Sequence, residues 1–408
     1  NNSGKIIDSS EGVRMSGRYL YLVALGGLAG LAAIYTTFAQ GQVYESTEHD
    51  FRVVTVVEDI QHPWSIAFLP DGDMLFTQRT GELRIVRDGE LLPEPVEGIP
   101  ETRVINQGGL QEIALHPDFE NNRVVYVSYS KPNGSRGTTA LIRARFEDDR
   151  LNDVEEIFEA DAWNERGGHF GAKIAFDEDG YLFMSVGDRQ SSPTGNLERH
   201  PAQDLTTHFG TIVRLMDDGS VPEDNPFVGD ANVRPEIWSY GHRNPQGLAF
   251  HPDTGDLWST EHGPQGGDEL NLILPGVNYG WPVIGYGVNY RTGTRIHPTG
   301  EREGMEQPKT FWIPSIGASG LIVYDGDAFP DWRGDIFAGG LAATHRRLSR
   351  ITVDDDGRVM TQESLLHGVF RIRDVRQGPD GFIYLATDNR AGGLTDIVRL
   401  EPAAPATY

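Results

Sequence analysis

One phrase recurs six times along this chain: an apolar strand, a turn of Pro, Asp and Gly, then a second alternating strand. The copies begin at Ile66 (IAFLPDGDMLFTQR), Ile113 (IALHPDFENNRVVYVSYS), Ile174 (IAFDEDGYLFMSVGDR), Leu248 (LAFHPDTGDLWSTEHG), Leu321 (LIVYDGDAFPDWRGDIFAGG) and Val375 (VRQGPDGFIYLATDN). Their starts lie 47, 61, 74, 73 and 54 residues apart. Period-2 apolar residues on both sides of such a turn are a hairpin signal. One hairpin cannot bury its faces alone, whereas sheets packed around an axis can; repeats of this length without helical periodicity read as propeller blades. The expected fold is all-β, a six-bladed β-propeller forming a single domain over residues 46–402. FRVVTVVEDI, from Phe51, is a lone strand before the first copy, and LTDIVRLEP ends the fold. Pairing these two in the last blade would seal the ring and leave no long open edge. The wider spacings predict insertions in blades three to five, where binding chemistry collects on a rigid scaffold.

Composition removes several function classes. With 60 acidic and 35 basic side chains the net charge is −25, and the Lys and Arg are scattered, so nucleic acid is not an expected partner. There are no cysteines, which excludes disulfides, zinc–thiolate sites and cysteine nucleophiles. From Tyr19 to Gln40 no side chain is charged, Arg18 precedes the stretch, and Thr37 and Ala39 offer a small-residue cleavage pattern. Residues 15–40 therefore read as a signal peptide, with an N-terminal membrane tether as the alternative, and the expected location is periplasmic or secreted. Residues 1–14 read as an upstream or expression-derived extension. HExxH, GxSxG, P-loop and GxGxxG signatures are absent from the sequence.

Polar clusters fall at the blade ends. In Gly167-Gly168-His169-Phe170-Gly171 the glycines bare the backbone around a histidine, and Asp188 ends the following hairpin, where it can return beside the ring. A His–carboxylate pair suits a general base. His116 and His251, in HPD turns, read instead as structural turn caps. Arg243-Asn244-Pro245 puts a cation and an amide at a strand entrance. Glu261-His262-Gly263-Pro264-Gln265-Gly266-Gly267-Asp268-Glu269, followed by Asn278-Tyr279-Gly280-Trp281-Pro282, offers carboxylates and turn carbonyls, hard oxygen donors that suit calcium. Arg371 and Arg373, two residues apart on a strand, face the same way and invite a polycarboxylate.

Together GGHFGAKIAFDEDGYLFMSVGD, IWSYGHRNPQGLAFHP, EHGPQGGDELN, NYGWP and FRIRDVRQGPDGFIYLATD resemble the soluble PQQ-dependent aldose sugar dehydrogenases, with quinoprotein glucose dehydrogenases and sorbosone dehydrogenase-like proteins as more distant relatives. The resemblance runs from roughly His62 to Leu400. It implies a calcium-dependent quinoprotein that oxidises the anomeric carbon of an aldose to a lactone, with an electron acceptor beyond the cofactor. It implies that His169 is the catalytic base, that Asp188 supports it, and that Arg243 stabilises charge on the reduced quinone oxygen. Gln107, Arg243, Asn244, Tyr290, Arg371 and Arg373 correspond to PQQ contacts. Gly263 and Pro264 correspond to backbone calcium ligands, and Glu269 and Tyr279 to a calcium site of the aldose dehydrogenase branch. In one departure, Ala342 stands where the family carries a cofactor-binding Lys, with His345 and Arg346 nearby as replacements. Losing one such cation costs about 1.5–3 kcal/mol of a charge-assisted contact. Two other readings stay open: a non-catalytic propeller binding carbohydrate or a protein partner, and a calcium-dependent propeller lactonase.

Overall fold

The computed structural model of the chain describes residues 42–403. Six small antiparallel sheets form the six blades of a β-propeller. The innermost strands are Pro63–Phe68, Leu110–Leu115, Gly171–Phe176, Pro245–Phe250, Ala318–Val323 and Ile372–Gln377, and each packs on the next around a closed ring. Every copy of the repeat supplies an innermost strand, its turn and the second strand of one blade. Five of the second strands are buried along their whole length: Met74–Gln78, Leu182–Val186, Leu257–Glu261, Ile336–Gly340 and Ile383–Thr387. Both faces of these strands meet a neighbouring blade, so both carry apolar or internally bonded side chains.

The core is divided accordingly into six clusters, one between each pair of adjacent blades. Blade six is completed by the N-terminal strand: Phe51–Ile60 pairs antiparallel with Thr395–Pro402, from Phe51 opposite Pro402 to Ile60 opposite Thr395. Phe51 itself is fully buried, stacked on Tyr44 and edge-on to Trp332.

Near the axis the innermost strands of blades two, three and six bring charges together. Lys173 Nζ lies 2.7 Å from both Glu112 and Asp374, and Arg376 also pairs with both acids. The long insertions lie in blades three and four, at 187–210, 216–236 and 274–309. Blade five has none, because the wide spacing before its start is consumed by the 274–309 segment of blade four. The 15–40 stretch and residues 1–14 lie outside the described residues.

Candidate functional site

The ends of the innermost strands and the insertions of blades three and four converge on two adjoining cavities. One, of about 460 Å³, is lined by Gln107, His169, Asp188, Arg243, Trp281 and Tyr290 among others. The second, of about 640 Å³, takes in Trp64, Gly263, Pro264, Ala342, Arg371 and Arg373, and shares Gln107, His262, Pro264, Tyr290 and Arg390 with the first.

His169 precedes the innermost strand of blade three, with φ of 54° in the left-handed region, an uncommon conformation for a residue with a Cβ. Asp188 follows the second strand of the same blade. The two meet because Gly187 lets the hairpin end press against the His169 backbone: a Cβ there would sit 2.3 Å from the His169 carbonyl oxygen. His169 Nδ1 lies 2.6 Å from Asp188 Oδ1. The other carboxylate oxygen accepts the Trp281 indole N–H at 2.8 Å, and the Gln190 amide donates to Oδ1 at 2.9 Å. A carboxylate partner accepts only, so Nδ1 carries the ring proton and Nε2 is left as the acceptor. Burial, then the charge of Arg243, lowers the His169 pKa despite Asp188. Burial alone would raise Asp188, yet the His169 ring and Arg243 outweigh it and keep the carboxyl below its usual value.

The surrounding groups brace this pair. Gln107 accepts from the His169 amide at 2.8 Å. Arg189, fully buried, lies 3.3 Å above the Phe170 ring and donates to the carbonyls of Gly168 and Arg166, tying down the histidine loop. Arg243 sits over Trp281, donates to the His262 carbonyl at 2.9 Å and is anchored by Glu261, which accepts its amide at 2.7 Å. Asn244 lines neither cavity; its Oδ1 accepts the Gly171 amide at 3.2 Å, while its buried Nδ2 has no partner among the described residues. His262 Nε2 is likewise buried without a partner, and burial followed by the charges of Arg373 and Arg243 holds its pKa well below the usual value.

Arg371 and Arg373 both reach the larger cavity. Arg371 clamps Asp388 Oδ2 at 3.0 and 3.1 Å and donates to the Leu341 carbonyl. Arg373 lies 4.1 Å above Trp64 and donates to Gln246 at 2.9 Å; burial lowers its pKa to about 10. Tyr290, 59 % exposed, lines both cavities as an open aromatic face. His345 lines the larger cavity, whereas Arg346 donates to the Ala343 carbonyl and does not.

The oxygen donors divide into three roles. Asp268 is fully engaged by the amides of Gly263, Gly317 and Ala318, so it shapes the Gly263-Pro264 turn. Gly263 and Pro264 line the larger cavity, and their carbonyls accept no hydrogen bond from the described residues. Glu269 and Tyr279 meet in a small enclosed space with Glu261. Tyr279 spends its hydroxyl on Leu272 and Leu274, leaving its main-chain carbonyl as the oxygen it can offer. Burial, then the charge of Glu261, pushes Glu269 well above the usual carboxylate range. Among the described residues no cluster of three or more His, Cys, Asp or Glu surrounds one point.

His116 and His251 do cap their turns, accepting the amides of Asp118 and Asp253. Trp281, His262, Arg189, Arg79 and Arg390 are the site residues that no single-residue reading assigned a role. Trp281 belongs to the NYGWP segment, and its partner Asp188 is 93 residues away along the chain.

The family model for Glucose / Sorbosone dehydrogenase matches residues 60–396. The aldose sugar dehydrogenase YliI of Escherichia coli strain K12 is 41% identical over 356 residues, covering 84% of this chain and 92% of that protein. The apo-form structure of soluble aldose sugar dehydrogenase from Escherichia coli superposes with a TM-score of 0.80 at 38% identity, over 86% of this chain and 100% of its own. The PQQ-bound aldose sugar dehydrogenase of Streptomyces coelicolor gives a TM-score of 0.68 at 26% identity, over 86% of this chain and 98% of its own. With a family match that runs from the closing strand of the ring to its last strand, this chain belongs to the Glucose / Sorbosone dehydrogenase family.

Proposed function

We propose that this protein is a calcium-dependent quinoprotein that oxidises the anomeric carbon of aldose sugars to lactones. The observation that carries the proposal is the His169–Asp188 pair, placed where a polar cavity adjoins one rich in arginine. PQQ carries three carboxylates, and the larger cavity offers them guanidiniums, while its Trp64 and Tyr290 rings suit a planar ring system and its unengaged turn carbonyls suit a cation. The unpartnered Nε2 of His262, which lines both cavities, adds a buried polar atom in want of a partner. Arg371 and Arg373 would hold the carboxylates, Arg243 the quinone edge, and the carbonyls of Gly263 and Pro264 a calcium ion; Asn244, which lines neither cavity, would support the histidine loop through Gly171. Glu269 with the Tyr279 carbonyl would hold a second calcium.

When bound, PQQ supplies the two-electron acceptor for the hydride leaving the sugar C1. The protein's part is proton transfer and positioning. Neutral His169 accepts the anomeric hydroxyl proton at Nε2, while Asp188 holds the ring in that tautomer and stabilises the imidazolium. Arg243, fixed by Glu261 and stacked on Trp281, is a preorganised charge beside the base and favours negative charge building on an oxygen there. An external electron acceptor completes the cycle. The uncharged 19–40 stretch supports action outside the cytoplasm.

The test is reconstitution: apo-protein, PQQ and calcium, with dye reduction followed across a panel of aldoses. Dye reduction that needs both PQQ and sugar is the expected result. No reduction with any sugar, together with no PQQ spectral change, would reject the proposal.

A further inference from the structure

Four arginines line the larger cavity: Arg79, Arg371, Arg373 and Arg390, with Asp388 as its one lining carboxylate. Three of the four are committed within the protein. Arg79 donates to the Asn106 carbonyl, Arg371 clamps Asp388, and Arg373 is held by Gln246 and Trp64. Arg390 differs. It stands on the blade-six loop after Thr387, exposed, and makes no hydrogen bond or ion pair with any described residue. It also lines the neighbouring His169 cavity, which puts it where the two meet. A free, exposed guanidinium at the junction of the two cavities is available to an anion that enters either.

On the quinoprotein reading above, we propose that Arg390 replaces the cation missing at Ala342 and pairs with a carboxylate of PQQ. Ala342 lines the same cavity, so the charge is restored from blade six instead of blade five. Before any metal is counted, four guanidiniums and one carboxylate leave three positive charges, matching the three carboxylates of PQQ. Without Arg390 only two remain. Arg346, next to the lost position in sequence, is turned onto the Ala343 carbonyl and is not available.

The experiment measures PQQ affinity of the apo-protein in calcium by quenching of tryptophan fluorescence, since Trp64 and Trp281 line the two cavities. Variants are R390Q, H345Q, A342K and the double variant A342K/R390Q. R390Q is expected to weaken binding about tenfold to a hundredfold, the worth of one charge-assisted contact. Adding A342K to R390Q is expected to restore most of that affinity, because it returns the charge at the family position. Wild-type affinity in R390Q, a loss confined to H345Q, or a loss in R390Q that A342K leaves unrepaired would each overturn the inference. Failure of the wild-type protein to bind PQQ overturns instead the quinoprotein reading on which it rests.

Discussion

His169 Nδ1 lies 2.6 Å from Asp188 Oδ1, and the second oxygen of that carboxylate accepts the Trp281 indole N–H at 2.8 Å. The carboxylate fixes the ring and the indole fixes the carboxylate, so the acceptor face of the imidazole is set before substrate binds. His169 and Asp188 line the smaller cavity and not the arginine-rich one, so each can be replaced without removing a lining residue of the latter.

D188N keeps the shape but can present an amide N–H to Nδ1, which favours the wrong tautomer. We expect kcat to fall by about 10²–10⁴ in H169A and D188N, the usual worth of a general base, with PQQ affinity unchanged. Steady-state kinetics beside a PQQ titration checks this. Retained turnover in H169A would remove the histidine as base.

The acid limb of kcat/KM is expected below pH 6.5, the usual imidazole value, because burial and then Arg243 lower the His169 pKa and the base works when neutral. Activity therefore rises with pH through that lowered value and is level above it. The same sign governs stability: the unfolded chain takes up the proton first, so the contribution of His169 and His262 is complete above about pH 6.5 and is lost as pH falls below it. A pH–rate profile and denaturant titrations across that window test both limbs; an acid limb at pH 7 or above would contradict the first.

Glu269 gives a metal prediction. Burial and the charge of Glu261 raise its pKa well above 4.5, so the folded apo-protein favours the protonated carboxyl more than the unfolded chain does. That contribution is complete below about pH 4.5 and is lost as pH rises through the raised value. A divalent cation bound there would take the proton's place. Calcium should raise Tm at neutral pH and above, by up to about 2.7 kcal/mol of stability at a hundredfold over Kd. E269Q should raise Tm in EDTA and blunt the calcium response; an unchanged calcium shift in E269Q by differential scanning fluorimetry would exclude Glu269 as a ligand.

Lys173, on the innermost strand that follows His169, predicts a stability defect. It is 3 % exposed and bridges two acids that are fully buried, Glu112 and Asp374. K173M leaves Arg376 to serve both carboxylates, and we expect a loss of about 3–5 kcal/mol in unfolding free energy. Chemical denaturation checks it; a loss under 1 kcal/mol would mean that Arg376 alone suffices.

Much of the fold was legible because each blade must bury its own faces with the same period-2 pattern. The six hairpin copies, and the orphan strand at Phe51 that closes the ring, could be read without any knowledge of neighbours. The insertions were assigned one blade too far, since spacing between starts does not say which blade consumes the extra residues. Of the residues singled out in short local motifs, His169 in its glycine frame, Arg243 at a strand entrance, and the neighbouring Arg371 and Arg373 all line the two cavities. Asp268 looked like a metal donor in sequence, and only the amides of Gly263, Gly317 and Ala318 closing on it show that it shapes a turn.

By itself, then, the sequence determined what is periodic or local: strand faces, turn positions, the count of blades, and the polar clusters at blade ends. Tertiary structure decided what depends on convergence. Trp281 comes from blade four to hold Asp188 of blade three, and Arg189 clamps the loop of His169. Arg390 joins the cavity of Ala342 from another blade, and Tyr279 spends on its neighbours the hydroxyl that the motif alone left open. Hydrogen bonds and charges act over a few ångströms in space whatever their separation along the chain, so these partners become visible only when the ring closes.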